Sequence, residues 1–399
     1  MGKKIVITGG IGYIGTELCK IYSGYSWNDQ ITVIDNRFIS ERVNQLRNWN
    51  INFIHGDILD KDLIKKHCHD ADIIHHLAGI TNVPRVKSES SQDHDKKIKI
   101  VAEEGTKNIL DAMSINCKIV MPSTHVIYEG LNDVKRNIDE DEEACPVLSY
   151  GQSKFINEKQ LKESGKKYVI LRLGSVYGYS TDTTRLDIMA NFFAKIASQN
   201  GVLRLFAGGK QIKSLVPLID VARCFKFMEE RDDIKSNTFN LSKDSVTVEE
   251  VANICKKINP KTKIIKTEDL IPNPGYSLSN KKLLNVGFKF LYGLEESIEE
   301  RVYAIADSDR YTNGDYNYLV ESSVSQVGKG AENPFTEGGS AAEMPHRGKS
   351  HFPCESSNIE TDSIQKNCGS GYKIPCKGCT PVWSFLWKKM PWGLRRAIR

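Results

Sequence analysis

The chain has 399 residues, 40% of them hydrophobic and 26% charged, and its formal net charge at pH 7 is +5. This length and composition indicate an ordinary globular protein of about two or three domains, and so small a charge does not by itself indicate a nucleic-acid partner. No stretch approaches the roughly 18 consecutive apolar residues of a membrane span, and the first residues, MGKKIVITGG, lack the apolar core of a signal peptide. We therefore expect a cytoplasmic protein, in which the six scattered cysteines before residue 260 are reduced thiols.

Short apolar runs alternate with amphipathic segments through the first part of the chain. The runs predict strands over 4–8, 31–35, 51–57, 72–78, 118–123 and 168–174, and the segments between them predict helices over 13–23, 60–68, 96–114 and 150–164. Strands that alternate with helices predict an α/β fold, a doubly wound parallel sheet of the Rossmann type with helices on both faces. Ligands bind beyond the carboxyl ends of the strands in such sheets, so functional residues are expected where strands end.

The first predicted strand ends in the glycine-rich stretch TGGIGYIG. Gly10, Gly12 and Gly15 match the pattern G-x-G-x-x-G, and Gly9, Gly12 and Gly15 also match G-x-x-G-x-x-G. Such glycines permit a tight turn and let backbone amides approach a pyrophosphate at the start of a helix. Asp35 ends the next strand, 20 residues after Gly15, where a carboxylate can bind the ribose 2′-hydroxyl of a dinucleotide. A carboxylate there would repel a 2′-phosphate, so NAD is favoured over NADP; a turn that serves only packing is the alternative.

Two later strand ends fit the same cleft. HGDI (55–58) places Asp57 and Ile58 after the third strand. LAG (77–79) ends the fourth strand with residues small enough for a cofactor to pass close to the backbone. Either stretch could equally be a plain turn.

The stretch YGQSK places Tyr150 and Lys154 four residues apart, on one face of the helix predicted over 150–164. A free tyrosine titrates at about pKa 10 and is a poor base at neutral pH. An adjacent ammonium, together with a positively charged nicotinamide, would favour the phenolate and lower that pKa. The pair is therefore a candidate catalytic base with its activating cation, and a solvated turn of helix is the alternative.

Taken in chain order, these motifs resemble those of the extended short-chain dehydrogenases/reductases, particularly the nucleotide-sugar epimerases and dehydratases. The resemblance extends from residue 1 to about residue 310, and it rests on TGGIGYIG, Asp35, HGD (55–57), HLAG (76–79), Ser123-Thr124, YGQSK and LRLGSVYG (171–178). It implies a nucleotide-sugar substrate, NAD as the cofactor, and a homodimer formed through the helices near 96–114 and 150–164.

The same resemblance assigns roles to individual residues. Thr124 would share a hydrogen bond with the substrate hydroxyl, Tyr150 would act as the base, and Lys154 would lower the pKa of Tyr150 and hold the nicotinamide ribose. Contacts to NAD are implied at Gly9, Gly12, Tyr13, Ile14, Gly15, Asp35, Asn36, Asp57, Ile58, Leu77, Ala78, Gly79, Tyr150 and Lys154. Contacts to the substrate are implied at Thr81, His125, Ser175 and Lys213.

One departure from the family pattern bears on the reaction. Relatives that eliminate water or decarboxylate the sugar carry an acid within two residues of the catalytic Ser or Thr, whereas this chain has His125 and Val126 there. Unless His125 replaces that acid, the second proton-transfer group is missing; a packed or cleft-lining histidine is the alternative. An epimerase needs only the Thr, Tyr and Lys set, so we predict an NAD-dependent nucleotide-sugar epimerase, first of all a 4-epimerase. The alternatives are a dehydratase or reductase of the same fold and a non-catalytic cofactor-binding interaction protein.

Other departures concern substrate contacts. Ala102 stands where these enzymes usually carry an Asn, and Ser175 stands where relatives place a substrate-binding Asn. Lys213 stands in for an Arg that pairs with the substrate phosphate. A lysine can neutralise a phosphate but lacks the bidentate fork of arginine, so phosphate recognition is expected to be looser. A solvated loop position is the alternative for Lys213.

These interpretations divide the chain into domains. Residues 1–175, with 215–240 returning to them, would form the NAD-binding domain, and residues 176–214 and 241–310 would form a smaller α/β substrate-binding domain. Residues 311–370 are rich in Gly, Ser, Asn, Glu and Pro with few apolar runs, which predicts a flexible linker.

The tail, residues 371–399, mixes tryptophans with basic residues, which suits contact with a membrane surface or a protein partner. Tryptophans that only pack on the body of the enzyme are the alternative. Cys376 and Cys379 form a CxxC pair, but Cys368 and Cys354 lie 8 and 22 residues before it rather than in a second pair. We therefore predict no bound metal and keep zinc on these four cysteines as the less favoured alternative.

Overall fold

The computed structural model describes residues 2–25, 28–81, 91–131, 133–180, 185–268 and 275–308. The predicted linker, the tail and its four cysteines lie outside these described residues. Within the described residues, no cluster of three or more His, Cys, Asp or Glu side chains is arranged to hold a metal ion. Nor is any described helix both long and apolar enough to cross a membrane.

Strands and helices alternate along the described chain. The strands are β1 (Lys4–Thr8), β2 (Gln30–Asp35), β3 (Asn52–His55), β4 (Ile73–His76), β5 (Lys118–Thr124), β6 (Lys167–Leu173), β7 (Ser175–Tyr177), β8 (Val202–Leu205), β9 (Ile212–Pro217), β10 (Ser236–Leu241), β11 (Asp244–Thr247) and β12 (Lys263–Lys266). The helices are α1 (Tyr13–Tyr25), α2 (Ser40–Asn48), α3 (Lys61–Cys68), α4 (Gln92–Ala112), α5 (Ser149–Glu163), α6 (Met189–Ser198), α7 (Leu218–Glu230), α8 (Val248–Ile258), α9 (Lys281–Asn285) and α10 (Leu294–Ser308).

Seven strands form one parallel sheet in the order β10-β6-β5-β4-β1-β2-β3. In its centre, Ile7 of β1 lies between Val33 of β2 and His75 of β4. The predicted doubly wound parallel sheet is therefore confirmed, and the six predicted strands correspond to β1 through β6. The four predicted helices correspond to α1, α3, α4 and α5.

The sequence does not predict α2, the helix between β2 and β3. Its N-cap residue, Ile39, makes no side-chain cap bond, and only Arg42, Val43 and Leu46 of its nine residues are buried. Without a capping side chain or a long apolar stripe, the segment lacks the usual marks of a helix start.

The main sheet is buried on both faces. Ile5 and Ile7 of β1 join the apolar cluster on one face, and Val6 joins the cluster on the other, because successive residues of a strand point to opposite faces. The first cluster includes residues of α1 and α7, and the second includes residues of α3, α4 and α5. All seven residues of β5 are buried. The two helical layers therefore hold the ends of the central strands in fixed positions.

Two smaller sheets flank the end of the main sheet, one in the order β11-β9-β7 and one that pairs β12 with β8. β7 begins one residue after β6 ends, and the residue between them is Gly174. A Cβ added at Gly174 would lie 2.8 Å from Ser214 O, so only glycine fits this passage. Ser175 therefore starts β7 directly beside the carboxyl end of the main sheet. The division of residues 1–310 into two domains stays a prediction.

Candidate active site

A cleft of about 1730 Å³ lies at the carboxyl ends of strands β1 to β6. Its lining contains the residues that end or directly follow these strands, which is where ligands bind in sheets of this kind. Every described residue for which the sequence predicts a catalytic, cofactor or substrate role is part of this lining. The fold thus brings the predicted residues together, while their individual roles stay predictions.

The turn between β1 and α1 is too tight for side chains. Gly9 has φ 73°, and its N–H donates to Ile34 O at 2.8 Å. A Cβ added at Gly9 would lie 2.7 Å from Ala78 N, and one added at Gly15 would lie 2.4 Å from Gly9 O. Amides in the first turn of a helix have no carbonyl acceptor within the helix, so the start of α1 presents donors to the cleft. This cradle fits the pyrophosphate of a dinucleotide.

Asp35 ends β2 in the cleft wall, and its carboxylate accepts four hydrogen bonds. Ile11 N donates at 3.3 Å, and the main-chain N–H and guanidinium of Arg37 donate over 3.1, 3.3 and 3.4 Å. The Asp35 side chain is 4% exposed and that of Arg37 is 53% exposed. A ribose hydroxyl that binds Asp35 would therefore replace the long bonds from Arg37. Sequence reasoning missed Arg37, whose only signal is its place two residues after the acid.

Asn36 and Asp57 join the ends of β2 and β3. Asn36 Nδ2 donates to Asp57 Oδ2 at 2.9 Å, and Leu59 N donates to Asp57 Oδ1 at 3.0 Å. Ile58 is 5% exposed, and its carbonyl accepts from Asn108 Nδ2 at 3.0 Å. The predicted residues Asn36 and Asp57 are thus hydrogen-bonded to each other, and Ile58, the third predicted residue here, is held by Asn108.

His76 ends β4 below the cleft and is bonded through both ring nitrogens. Nδ1 lies 2.8 Å from Thr8 Oγ1, and Nε2 lies 3.0 Å from Thr106 Oγ1. Burial, together with the charge of Lys154, lowers the pKa of His76 to about 3, so the ring stays neutral. Thr8 Oγ1 also accepts from Ala78 N at 3.3 Å. This network, which sequence reasoning did not single out, fixes the backbone after β4 against β1.

The predicted catalytic residues meet where β5 ends beside α5. Tyr150 lies in the first turn of α5, and Lys154 lies one turn later with 8% exposure. Thr124, the last residue of β5, accepts a hydrogen bond from Val126 N at 3.2 Å, and its hydroxyl lies within hydrogen-bonding reach of Tyr150. The Nζ of Lys154 lies 3.8 Å from the position that a Cβ on Gly79 would take, so its ammonium borders the loop after β4.

The electrostatics at Tyr150 differ from the expectation. Burial raises the pKa of Tyr150 above its ordinary value of 10.0, while the charge of Arg185 and the hydrogen bond from Thr124 oppose this rise. Burial also lowers the pKa of Lys154 to about 8. Among the protein's own groups, desolvation therefore outweighs the opposing charge, and the cation that opposes it is Arg185. The lowering of the Tyr150 pKa by Lys154 together with a positively charged nicotinamide stays a prediction.

Arg185 is a second residue that sequence reasoning missed. It precedes α6, forms an ion pair with Asp187, and donates from Nη2 to Thr81 O at 3.0 Å. It lines the cleft close enough to Tyr150 for its charge to act on the phenol. Arg185 lies outside every motif, so only the folded chain shows its relation to Tyr150.

His125, Ser175 and Tyr276 form a hydrogen-bonded chain on the other side of Thr124. His125 Nδ1 lies 3.0 Å from Tyr276 Oη, and His125 Nε2 lies 3.2 Å from Ser175 Oγ. Burial, together with the charge of Lys213, lowers the pKa of His125 to about 3. Two predicted substrate residues, His125 and Ser175, are thus bonded to each other, and the charge of a third, Lys213, acts on His125. Sequence reasoning did not single out Tyr276.

A buried ion pair anchors α5 from below. Arg172 of β6 donates to both carboxylate oxygens of Glu158 in α5, at 2.9 and 2.8 Å, and the two side chains are 4% and 0% exposed. Arg172 Nη1 also donates to Tyr128 Oη at 2.5 Å and to Glu140 O at 2.8 Å. Glu158 lies one turn after Lys154, so this pair fixes the helix that carries the predicted base.

Comparison with known proteins places these observations in a family. The model of the NAD dependent epimerase/dehydratase family matches residues 5–242. CDP-paratose 2-epimerase from Salmonella typhi is 27% identical over 274 residues, which cover 60% of this chain and 78% of that protein. UDP-glucose 4-epimerase from Mycoplasma genitalium is 25% identical over 284 residues, which cover 64% of this chain and 81% of that protein.

A solved structure gives the same answer for the fold. UDP-glucuronic acid 4-epimerase from Bacillus cereus, in complex with UDP-glucuronic acid and NAD, superposes with a TM-score of 0.65 at 22% identity, over 76% of this chain and 99% of that chain. The family match covers more than half of the chain, and the glycine turn and the ends of β2 and β3 fit a dinucleotide. The chain therefore belongs to the NAD dependent epimerase/dehydratase family, and it is an enzyme whose cofactor is NAD.

Proposed function

We propose that the protein is a nucleotide-sugar epimerase, specifically a 4-epimerase. The observation that carries the proposal is the meeting of Thr124, Tyr150 and Lys154 at the end of β5, with no carboxylate at positions 125 and 126. The relatives named above include epimerases that act on UDP- and CDP-sugars, which supports a nucleotide sugar as the substrate. Their names give different inverted carbons, C2 and C4, so inversion at C4 is part of our proposal.

For the proposed epimerisation, the protein has to transfer one proton and to orient the substrate and the cofactor. The chemistry that bound NAD would supply is hydride removal from the sugar carbon and hydride return to the opposite face, with no net change in the cofactor. Tyr150 would take the hydroxyl proton as that carbon is oxidised and would return it on reduction. Thr124 would donate a hydrogen bond to the Tyr150 phenolate and stabilise it, since its hydroxyl opposes the rise in the pKa of Tyr150. Lys154 would hold the nicotinamide ribose hydroxyls.

The base needs a positive charge nearby, because burial raises the pKa of Tyr150. Arg185 supplies one such charge from the protein, held in place by Asp187 and by the carbonyl of Thr81. An added positive charge at the nicotinamide position would favour the phenolate further. Since burial raises the pKa of Tyr150 and nearby cations lower it, Tyr150 should remove a proton more readily when the cofactor is bound.

The remaining assignments complete the proposal. Lys213 would neutralise the substrate phosphate from β9, where its charge already acts on His125. Residues 1–175 with 215–240 would form the NAD-binding domain, and residues 176–214 and 241–310 the substrate-binding domain. Helices α4 and α5 pack side by side, and their outer faces are the proposed homodimer surface of a cytoplasmic enzyme. Light scattering coupled to gel filtration tests the dimer.

Incubation of the full-length protein and NAD with a panel of UDP-, dTDP-, GDP- and CDP-sugars tests the reaction. Products are resolved by NMR, and we expect one sugar to reach a mixture of two C4 epimers with no net change in NAD. Tyr150→Phe should slow this reaction by about a hundred- to ten-thousandfold. The matched control Tyr303→Phe, at a residue that is 55% exposed, should leave it unchanged.

Other outcomes would replace the proposal. Products that are only dehydrated or only reduced sugars would indicate a dehydratase or reductase of the same fold. If none of the sugars in the panel is converted, the proposed epimerase reaction is wrong.

A further inference from the structure

Helix α5, which carries Tyr150 in its first turn, begins without a capping side chain of its own. Its N-cap residue is Leu148, whose apolar side chain makes no cap bond. The first N–H groups of a helix have no acceptor within the helix, so another segment has to supply one. Glu129 does so: Leu148 N donates to Glu129 Oε1 at 2.8 Å, and the main chain of Val147 also donates to this carboxylate.

Thr124 and Glu129 lie at the two ends of one short 3-10 turn, His125–Tyr128. Thr124 is the N-cap residue of this turn, and its hydroxyl accepts from Val126 N. Glu129 is the C-cap residue, and its N–H donates to Val126 O at 3.1 Å. Glu129 is half-buried and lines the cleft. The hydrogen bonds of a single turn therefore set the position of the Glu129 carboxylate relative to the Thr124 hydroxyl.

Further contacts hold this turn against the segment that leads into α5. Cys145 N donates to Ile127 O at 2.7 Å, and Gly130 N donates to Cys145 O at 2.9 Å. Gly151, in the first turn of α5, lies so close to the 3-10 turn that an added Cβ would be 3.2 Å from Val126 O. The end of β5 and the start of α5 are thus packed directly on each other, and the Glu129 carboxylate bonds the residue at which the helix begins.

We propose that Glu129 is a positioning residue for the reaction: it holds the start of α5 to the turn that begins at Thr124 and so keeps Tyr150 within hydrogen-bonding reach of the Thr124 hydroxyl. This inference rests on the proposed function, because it concerns the same proton transfer. Glu129 acts through Tyr150 and transfers no proton itself. A displacement of a catalytic group by about 1 Å can cost roughly a hundredfold in rate, so a hydrogen bond away from the reacting atoms can have a large effect.

Two substitutions of similar size separate the hydrogen bond of Glu129 from its charge. Glu129→Leu removes the acceptor, whereas Glu129→Gln keeps an oxygen for Leu148 N and removes only the charge. Activity is measured with full-length protein, NAD and the nucleotide sugar that the panel identifies. Glu129→Leu should lower kcat about ten- to a hundredfold and leave the dissociation constants for NAD and the sugar within about twofold. Glu129→Gln should keep kcat within about threefold of the unaltered protein.

The pH dependence of kcat separates positioning from a direct effect of the Glu129 charge. The hydrogen bond with Thr124 opposes the rise in the pKa of Tyr150. Loss of that contact in Glu129→Leu should raise the pKa of Tyr150 further and move the acid limb of the pH–rate profile to higher pH. Removal of a nearby negative charge would instead lower the pKa of Tyr150, and it would do so equally in Glu129→Gln. Arg185, whose charge acts on Tyr150, and Lys154, one helical turn away, are unchanged in both variants.

Glu250→Leu is the matched control. Glu250 also accepts at a helix start, from Thr247 N at 2.6 Å, but it does so at the start of α8, outside the described lining of the cleft. Its loss should leave kcat and the pH–rate profile unchanged, whatever it costs in stability. Thermal unfolding confirms that each variant is folded at the assay temperature, and Glu129→Ala takes the place of Glu129→Leu if the leucine variant is not.

Three results would overturn the inference: an unchanged kcat in Glu129→Leu, equal losses of kcat in Glu129→Leu and Glu129→Gln, or an acid limb that stays in place or moves to lower pH. If the unaltered protein converts no sugar of the panel, the proposed reaction fails. The tyrosinate absorbance of NAD-loaded protein, corrected with Tyr150→Phe, then gives the pKa of Tyr150 without a substrate. A higher pKa in Glu129→Leu than in the unaltered protein would support the positioning role alone, and an unchanged pKa would overturn it.

Discussion

Removal of the negative charge below the active-site helix should destabilise the protein strongly. Glu158→Gln keeps the size of the side chain but takes the counter-ion from Arg172, whose guanidinium is 4% exposed. The pair is bidentate, at 2.9 and 2.8 Å, and its carboxylate is fully buried. Loss of one partner of such a pair lowers the free energy of unfolding by about 3–5 kcal/mol, because a buried charge is left uncompensated.

Urea unfolding followed by circular dichroism measures this loss, and an exposed pair provides the control. Asp111→Asn breaks the Lys107–Asp111 pair, whose side chains are 64% and 60% exposed, and should cost less than about 1 kcal/mol. The double variant Glu158→Leu/Arg172→Met replaces both charges with apolar groups and should recover much of the loss. Equal effects of Glu158→Gln and Asp111→Asn, or a double variant no better than the single one, would refute the desolvation argument.

The contribution of this pair should also depend on pH. Burial raises the pKa of Glu158, but the hydrogen bonds and charge of Arg172 outweigh burial and bring the pKa below the ordinary value of 4.5. A carboxyl group whose pKa is lowered by folding stabilises the protein above its unfolded pKa. That contribution is lost as the pH falls through the lowered pKa, so the difference between Glu158→Gln and the unaltered protein should shrink in acid.

Three further outcomes concern the cleft. Arg185→Met should raise the pKa of Tyr150 further and move the acid limb of the pH–rate profile to higher pH, whereas Arg185→Lys should leave it near the original position. Gly9→Ala should abolish NAD binding measured by calorimetry, because its Cβ would meet a main-chain nitrogen at 2.7 Å and its backbone has φ 73°. Asp35→Ser should lower the ratio of the NADP dissociation constant to the NAD dissociation constant by about tenfold or more, measured by calorimetry. The carboxylate that repels a 2′-phosphate is then gone, while Arg37 remains.

The sheet and the cofactor turn were predictable because their signals are local. Residues 4–8 form a short apolar run that ends at a glycine turn, and the structure has β1 over Lys4–Thr8 with α1 starting at Tyr13. Burial on both faces of a parallel sheet gives near-continuous apolar strands, which is why β5 could be recognised. The short helix α2 has neither a long apolar run nor a glycine turn, and no side chain caps it, so its sequence did not predict it.

The substrate side was less predictable because its residues meet over long sequence distances. Tyr276 reaches His125 across 151 positions, and Arg185 reaches Thr81 across 104. Neither residue belongs to a periodic segment or a spaced motif, so the folded chain alone brings them to the cleft. The pKa of Tyr150 could not be predicted for a similar reason. Residue spacing indicates which charges are near the phenol, but burial, which depends on the fold, sets the direction of the shift.

Gly174, the one-residue joint between β6 and β7, leads the chain out of the main sheet and into a smaller sheet at the cleft. The glycine turn and Asp35, which are predicted to hold the dinucleotide, come before it, whereas Ser175 on β7 and Lys213 on β9 come after it. Thr81 and His125, the other two residues predicted to contact the substrate, come before it. A change of substrate would therefore need replacements on both sides of this joint, and a graft of β7 to β9 from a relative should include the residues at 81 and 125.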